Sequence, residues 1–201
     1  MRKTRQPASI YQLKITLIGT RPPVWRRILV PSDLRLSELH PIIQSGMGWT
    51  NAHLHYFKVG HETYEPRSEF GPDDLDLGLD DLDEESESLD SATIRLFQAL
   101  EAPGSHMAYL YDFGDAWHHK ILLEKILPVD PDVRYPICVK GVRACPPEDS
   151  GGIWGYSELL SRIDDDDFEE EYGELVGEKF DPNFCDLEAV NQRLSRSHSR
   201  S

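Results

Sequence analysis

Between Ile10 and Ile18 apolar and polar residues alternate, and the run Ile10-Tyr-Gln-Leu-Lys-Ile-Thr-Leu-Ile18 is rich in β-branched side chains. A period of two predicts a strand with one buried face. Gly19 to Pro23 reads as a turn and Val24 to Val30 as a second strand stopped by Pro31, so the two are expected to pair antiparallel. The period then changes. From about Ser37, Leu39, Ile42, Ile43 and Met47 recur at helical spacing. Pro41 is tolerable there only in the first turn, whose amides have no intrahelical partner, and Gly46 and Gly48 read as the stop. Ala52 to Val59 predicts a third strand, with His53, His55, Phe57 and Val59 on one face and Leu54 and Tyr56 on the other. Strand, strand, helix, strand is a β-grasp-like opening for an α+β fold.

After Glu62 the period fades. Asp73-Asp-Leu-Asp76 is echoed at Asp80-Asp-Leu-Asp83, too briefly for a structural repeat and without the ligand spacing of an EF-hand. An acidic insertion at about 70–91, exposed and mobile, is the expectation. Thr93 to Leu100 fits either a short strand or a helix. His106 to Phe113 and Ala116 to Leu127 then form the clearest signal, a long β-hairpin closed by the two-residue turn Gly114-Asp115, with glycine where a type II′ turn needs it. Pro128, Pro131 and Pro136 break the pattern. A C-terminal group of short helices follows, at Tyr156 to Ile163, about Asp167 to Val176, and Asp186 to Leu194.

Length and charge narrow the class. The 201 residues suit one domain, here 9–195, between a disordered basic leader (1–8) and a disordered tail (196–201). No apolar run reaches membrane-spanning length, and three cysteines, odd and few, point to a reducing cytoplasm. The net charge of −15 is uneven: ten carboxylates fall within Asp73 to Asp90 and nine within Asp164 to Glu178. The remainder holds 21 bases against 17 acids. Its basic clusters are Arg2-Lys3-Arg5, Arg26-Arg27 and the tail's Arg193, Arg196 and Arg200, mostly terminal, which argues against direct nucleic-acid binding. An acidic DNA mimic or mobile-element accessory protein would need both acidic segments on one surface.

Four segments carry a family resemblance: Ile10-Tyr-Gln-Leu-Lys-Ile with Pro23-Val-Trp-Arg-Arg; Leu39-His40 through Met47-Gly-Trp49 into His53-Leu-His55; Tyr111-Asp-Phe-Gly-Asp-Ala-Trp-His-His119; and Ala144-Cys-Pro-Pro-Glu-Asp-Ser-Gly-Gly152 with Gly155-Tyr156. Together with Phe180-Asp-Pro182 they resemble the plasmid pRiA-type open-reading-frame-three-like family, some of whose members travel with insertion elements under the label TnpR. The resemblance spans about residues 9 to 195 and implies no established activity. The label itself does not fit. A serine resolvase needs a nucleophilic serine among arginines and a basic helix-turn-helix, whereas Ser9 stands alone and the C-terminal half is acidic. A tyrosine recombinase's basic constellation is equally missing from the sequence.

The hairpin and the proline-rich loop hold the candidate chemistry. A two-residue turn sets Asp112 opposite Trp117 and His119 diagonal to Asp112, on the face shared with Ala108, Leu110, Ile121 and Leu123. Asp112 and His119 are thus expected to be buried and paired, as an acid/base pair or as a polar lock on hairpin register. Asp115 occupies the turn. In Cys145-Pro-Pro-Glu-Asp-Ser-Gly-Gly152 the prolines stiffen and the glycines bend a loop presenting Glu148 and Asp149, either to a ligand or as caps within the fold. Cys138 and Cys145 lack zinc-knuckle spacing, and Cys138 and Cys185 read as small buried hydrophobes. His53 and His55 read as a half-buried strand face or as metal ligands. No cofactor and no metal set is specified.

The leading expectation is a monomeric binding module for a protein or small ligand, with its groove between hairpin and loop and with contacts from Asp112, Asp115, Trp117, His119, Glu148 and Asp149. A metal-dependent hydrolase would instead need at least three of these carboxylates and histidines, His53 and His55 included, to converge.

Overall fold

In the computed structural model, which describes residues 9–67, 88–177 and 180–198, the alternating runs assemble into one sheet. Its strands are β1 (Ile10–Leu17), β2 (Trp25–Pro31), β3 (His55–Val59), β4 (Glu62–Glu65), β5 (Leu89–Asp90), β6 (His106–Tyr111), β7 (Trp117–Leu127) and β8 (Ile137–Val142). Helix α1 (Leu36–Met47) joins β2 to β3, α2 (Leu96–Ala99) precedes β6, and α3 (Gly152–Ser161), α4 (Phe168–Val176) and α5 (Leu187–His198) close the chain. The sheet order is β5-β4-β3-β6-β7-β1-β2-β8, antiparallel except for the β4–β5 pair. The fold is therefore α+β. The leader 1–8, the insertion between 68 and 87 and the tail from 199 lie outside the described residues.

β1 and β2 pair antiparallel, and β1 pairs β7 along its other edge, so the first strand is central. Leu13, Ile15, Leu17, Ile28 and Val30 bury one sheet face against Leu39, Ile42 and Ile43 of α1 and Val190 and Leu194 of α5. At about 25 cal/mol per Å² of apolar surface, this burial is the main stabilising contribution. Pro41 is the sixth residue of α1, beyond the first turn, so the Ser37 carbonyl has no amide to accept from at that point. Gly46 lies inside the helix. A Cβ there would come within 2.9 Å of Ile28 Cδ1, so glycine lets α1 sit close on β2. Gly48, at φ 96°, makes the stop.

Three strands escape the alternation signal. β4 and β5 are short, and β8 follows Pro136 directly and is interrupted by a bulge opposite Arg27 and Ile28. Asn191 of α5 secures β8: its Oδ1 accepts from Cys138 N (2.8 Å) and its Nδ2 donates to Cys138 O (3.0 Å). The Thr93 to Leu100 region is helical only at α2. α5 continues to His198, four residues past Leu194, so the first part of the expected tail is helix.

The hairpin exists with a different register. Trp117 pairs with Tyr111 and His119 with Tyr109, and residues 112–116 form the loop. Asp112 (φ 59°) and Ala116 (φ 52°) adopt left-handed backbone, and Ala116 N donates to Asp112 O (2.8 Å). A one-residue slip turns β6 over. Met107, Tyr109 and Tyr111 face the core with Trp117, His119 and Ile121, while Ala108 and Leu110 lie on the opposite side. Asp112 and His119 are both buried but do not pair.

Candidate functional site

Three segments meet at one end of the sheet: the stretch from Trp49 to Leu54 after α1, the β6–β7 loop, and the loop from Cys145 to Gly152. Trp49 Nε1 donates to Pro146 O (2.9 Å). Glu148 Oε2 accepts from Thr50 N (2.7 Å) and Thr50 Oγ1 (2.6 Å), while its Oε1 accepts from the Tyr111 hydroxyl. That hydroxyl also accepts from Ala52 N (3.0 Å). Burial, and then the Glu148 contact, push the Tyr111 phenol far above its ordinary range, so it stays a donor. Glu148 is thus a clamp between loops, with both oxygens occupied. Tyr111→Phe removes the shared hydroxyl and strands a carboxylate oxygen and an amide. The expected loss is about 2 kcal/mol, read from urea denaturation.

The clamp sets the position of His53. Its Nε2 lies 3.0 Å from Asp149 Oδ1 and 3.6 Å from Asp112 Oδ2. The first is an ion-pair distance without hydrogen-bond alignment, and Nε2 is shut off from solvent with no hydrogen-bond partner. Asp112 is oriented by its own loop. Its N donates to Leu54 O (2.9 Å), and its Oδ1 accepts from Gly114 N (2.9 Å) and Asp115 N (3.3 Å), which turns Oδ2 toward His53. The Asp112 side chain is 9% exposed and that of Asp149, also left-handed at φ 57°, is 70% exposed. One ligand atom from each of His53, Asp112 and Asp149 lies within 4.8 Å of the other two, the one such His/Cys/Asp/Glu group among the described residues. An imidazole and two carboxylates are a donor set suited to a borderline or hard divalent cation.

The other expected contacts fall elsewhere. Asp115 packs its backbone against α3: a Cβ on Gly152 would stand 2.4 Å from Asp115 O. Asp115 Oδ2 is buried without a hydrogen bond. Trp117 and His119 lie beneath the site at 0% and 1% exposure, so they are floor and not contact surface. His119 Nδ1 donates to Trp117 O (2.9 Å), and its ring meets Trp49 edge-on at 5.4 Å. His55 is separated from His53. It faces the core and stacks on His40, ring centroids 3.4 Å apart. Cys138 is buried, which pushes its thiol up to about 11, and Cys185 is half-buried against Gly141. Of the two acidic stretches, 164–178 reaches into α4, where Arg162 binds Asp165, Asp167 and Glu171. Most of 73–90 lies outside the described residues.

Next to the cluster's residues in the chain, and in the helix that follows its loop, stand exposed apolar side chains that alternation alone does not flag. Leu54, next to His53, is 66% exposed, Phe113, next to Asp112, is 53% exposed, and Trp154, in the first turn of α3, is 89% exposed. Their legible signal is placement, since each lies within or just beyond a motif segment and off a buried period.

The chain is similar to known proteins along most of its length. The chain is 37% identical over 159 residues, 79% of its length and 75% of the relative's, to an uncharacterized protein, y4hQ, of Sinorhizobium fredii (strain NBRC 101917 / NGR234). The crystal structure of MM3350, a protein of unknown function from Methanosarcina mazei Go1, superposes with a TM-score of 0.77 at 33% identity, covering 93% of this chain and 99% of that one. Residues 9–189, from the first strand into the last helix, match the family described as plasmid pRiA4b ORF-3-like protein, and it is to this family that the chain belongs.

Proposed function

We propose that this chain is a monomeric, cytoplasmic binding module whose protein or small-molecule ligand docks where the three loops meet. The observation that carries the reading is the coincidence of a polar anchor, His53 with Asp112 and Asp149, and exposed apolar residues, Leu54 and Phe113 on two of the same segments and Trp154 just beyond the third. Large side chains left in water beside a few convergent polar groups are the composition of a recognition surface. Three free cysteines fit a reducing compartment. Native mass spectrometry of the chain purified from the cells that make it is the test. A bound species is expected on the wild type and is expected to be lost from the double variant Leu54→Ser/Trp154→Ser and from Asp112→Asn. Equal retention by all three chains sinks the reading.

The convergence of three ligand atoms also favours a second reading, a metal-dependent hydrolase. Manganese- or zinc-stimulated cleavage of a generic ester, abolished by Asp112→Asn, would displace the first reading. Asn keeps the Oδ1 acceptor that the loop needs and tolerates left-handed backbone, so the fold is preserved.

A further inference from the structure

The sheet has a second face, opposite the core. Strand alternation puts Lys14 of β1, Arg27 of β2, Lys58 of β3, Lys120 of β7 and Lys140 of β8 on it. Register then aligns them. Lys58, Ala108, Lys120, Thr16 and Trp25 follow one another across β3, β6, β7, β1 and β2. Lys14, Arg27 and Lys140 form a second row across β1, β2 and β8. At the spacing of paired strands, the six strands from β3 to β8 carry this pattern over roughly 24 Å.

Acids are nearly excluded from this region. Glu124 is the one carboxylate in those six strands, and it is held by Arg27 (Nη2 to Oε1 2.7 Å) and Gln12 (2.8 Å). Among the described residues, no carboxylate lies within 4.0 Å of the Lys14, Lys58, Lys120 or Lys140 ammonium, and Glu124 acts on Lys14 from farther off. Aromatic rings punctuate the face. Lys14 Nζ, Arg27 Cζ and Lys140 Nζ sit 4.8, 5.2 and 5.8 Å from the centre of the Trp25 ring. At the far end, Tyr56 and Phe113 place their rings 5.9 Å apart.

We propose that this face binds single-stranded nucleic acid, with phosphates along the lysine rows and bases against the rings. Rows of ammonium groups on a surface nearly free of carboxylates attract a polyanion even on a chain of net charge −15, whose acids are concentrated in two other segments. The half-buried rings of Trp25 and Tyr56 and the exposed ring of Phe113 favour bases over an acidic polypeptide, which would use the lysines alone. A duplex is disfavoured because the face is made of strands lying flat, with no helix or ribbon to enter a groove. The inference goes beyond the loop cluster: it shares Phe113 with that surface but uses none of His53, Asp112 and Asp149, and its lysine rows lie on the strands.

Fluorescence anisotropy with a labelled twenty-nucleotide oligothymidylate tests it, from about 20 to about 200 mM salt. The expected wild-type plot of log affinity against log salt has a slope of about −2 to −3, since each phosphate contact contributes about −0.7. Lys120→Gln/Lys140→Gln, both exposed, is expected to weaken low-salt binding by about tenfold and to flatten the slope by about 1.4. Tyr56→Ala is expected to weaken oligothymidylate binding about fivefold or more and to leave polyglutamate binding unchanged. No binding at low salt, or equal binding by the lysine variant, overturns the proposal. Polyglutamate bound as tightly as oligothymidylate with Tyr56 irrelevant overturns it in favour of an acidic polypeptide. Duplex bound as tightly as single strand overturns it in favour of bare electrostatics.

Discussion

Gly155→Ala is expected to destabilise the chain by about 3 kcal/mol and to lower its melting temperature by roughly 10 °C, measured by circular dichroism. A Cβ on Gly155 would stand 1.8 Å from Ser150 O and 2.8 Å from Ser150 C. Both are backbone atoms, so no side-chain rotation relieves the clash. The start of α3 or the loop before it has to move, and that loop carries Asp149 and Glu148. The variant is therefore expected to lose the bound species along with stability. Gly152 shows the same constraint from the other side, at φ 66° with Asp115 O where a Cβ would be. Gly173 provides the contrast. It lies within α4 and a Cβ there would meet nothing within 4 Å, so Gly173→Ala is expected to stabilise by up to about 1 kcal/mol. Opposite signs at two helical glycines separate close packing from helix propensity. Equal signs would dismiss the packing argument.

This loop also shows how far the sequence could be read. Its prolines and glycines mark it as rigid, and rigidity does bring Asp149 beside Asp112. The hairpin was legible as two strands but not in register, because Gly114-Asp115 is a good two-residue turn on local grounds. The native loop instead takes five residues, fixed by the Asp112 amide reaching Leu54 and by the Asp112 carboxylate bonding Gly114 and Asp115. The Leu54 partner is tertiary, and the one-residue slip that goes with this loop exchanges Leu110 for Tyr111 on the buried face. His53 was legible as a candidate metal ligand, but only alongside His55 on one strand face. Its separate environment follows because β3 starts at His55, which leaves His53 in the preceding loop and commits His55 to the core. The lysine rows were invisible for a different reason. Lys14, Lys58, Lys120 and Lys140 are far apart in sequence, and only sheet order makes them neighbours. A count of basic runs therefore finds the termini and misses the face.

The core histidines predict the second large effect, a loss of stability as pH falls from about 6.5 toward 4. Burial lowers His40 from 6.5 to about 4, against an opposing hydrogen bond from Asn51, and lowers His119 to about 4 against the backbone carbonyls it meets. His55 falls to about 3, through burial and then through the like charge of His40 stacked on it. The network around them is built for neutral rings. His40 Nε2 donates to Asn51 Oδ1, leaving Nδ1 to accept from the Tyr109 hydroxyl (2.8 Å), which in turn accepts from Gln44 Nε2 (2.9 Å). The rings of Trp49 and Tyr109, neither charged, pack against His119, and the like charge of neighbouring His118 lowers it further. Above about pH 7.5 the three imidazoles are neutral whether the chain is folded or unfolded, and they add no pH dependence. Below it the unfolded chain takes up protons that the native state refuses, so stability falls with pH. The cost is about 1 kcal/mol per imidazole at pH 5.5 and about 3 kcal/mol each near pH 4, set against a total stability of roughly 5–15 kcal/mol. Protonation of the chain's many carboxylates, which relieves repulsion at a net charge of −15, belongs mainly below pH 4.5 and leaves the upper window to the histidines. Urea midpoints between pH 8.5 and 5 are expected to be level above about 7.5, to bend downward through 6.5 and then to decline with a slope approaching three protons. His119→Gln should reduce that slope to two. A midpoint that holds level to pH 5.5 would show that these imidazoles titrate alike in both states and that their burial does not set the acid limit of the fold.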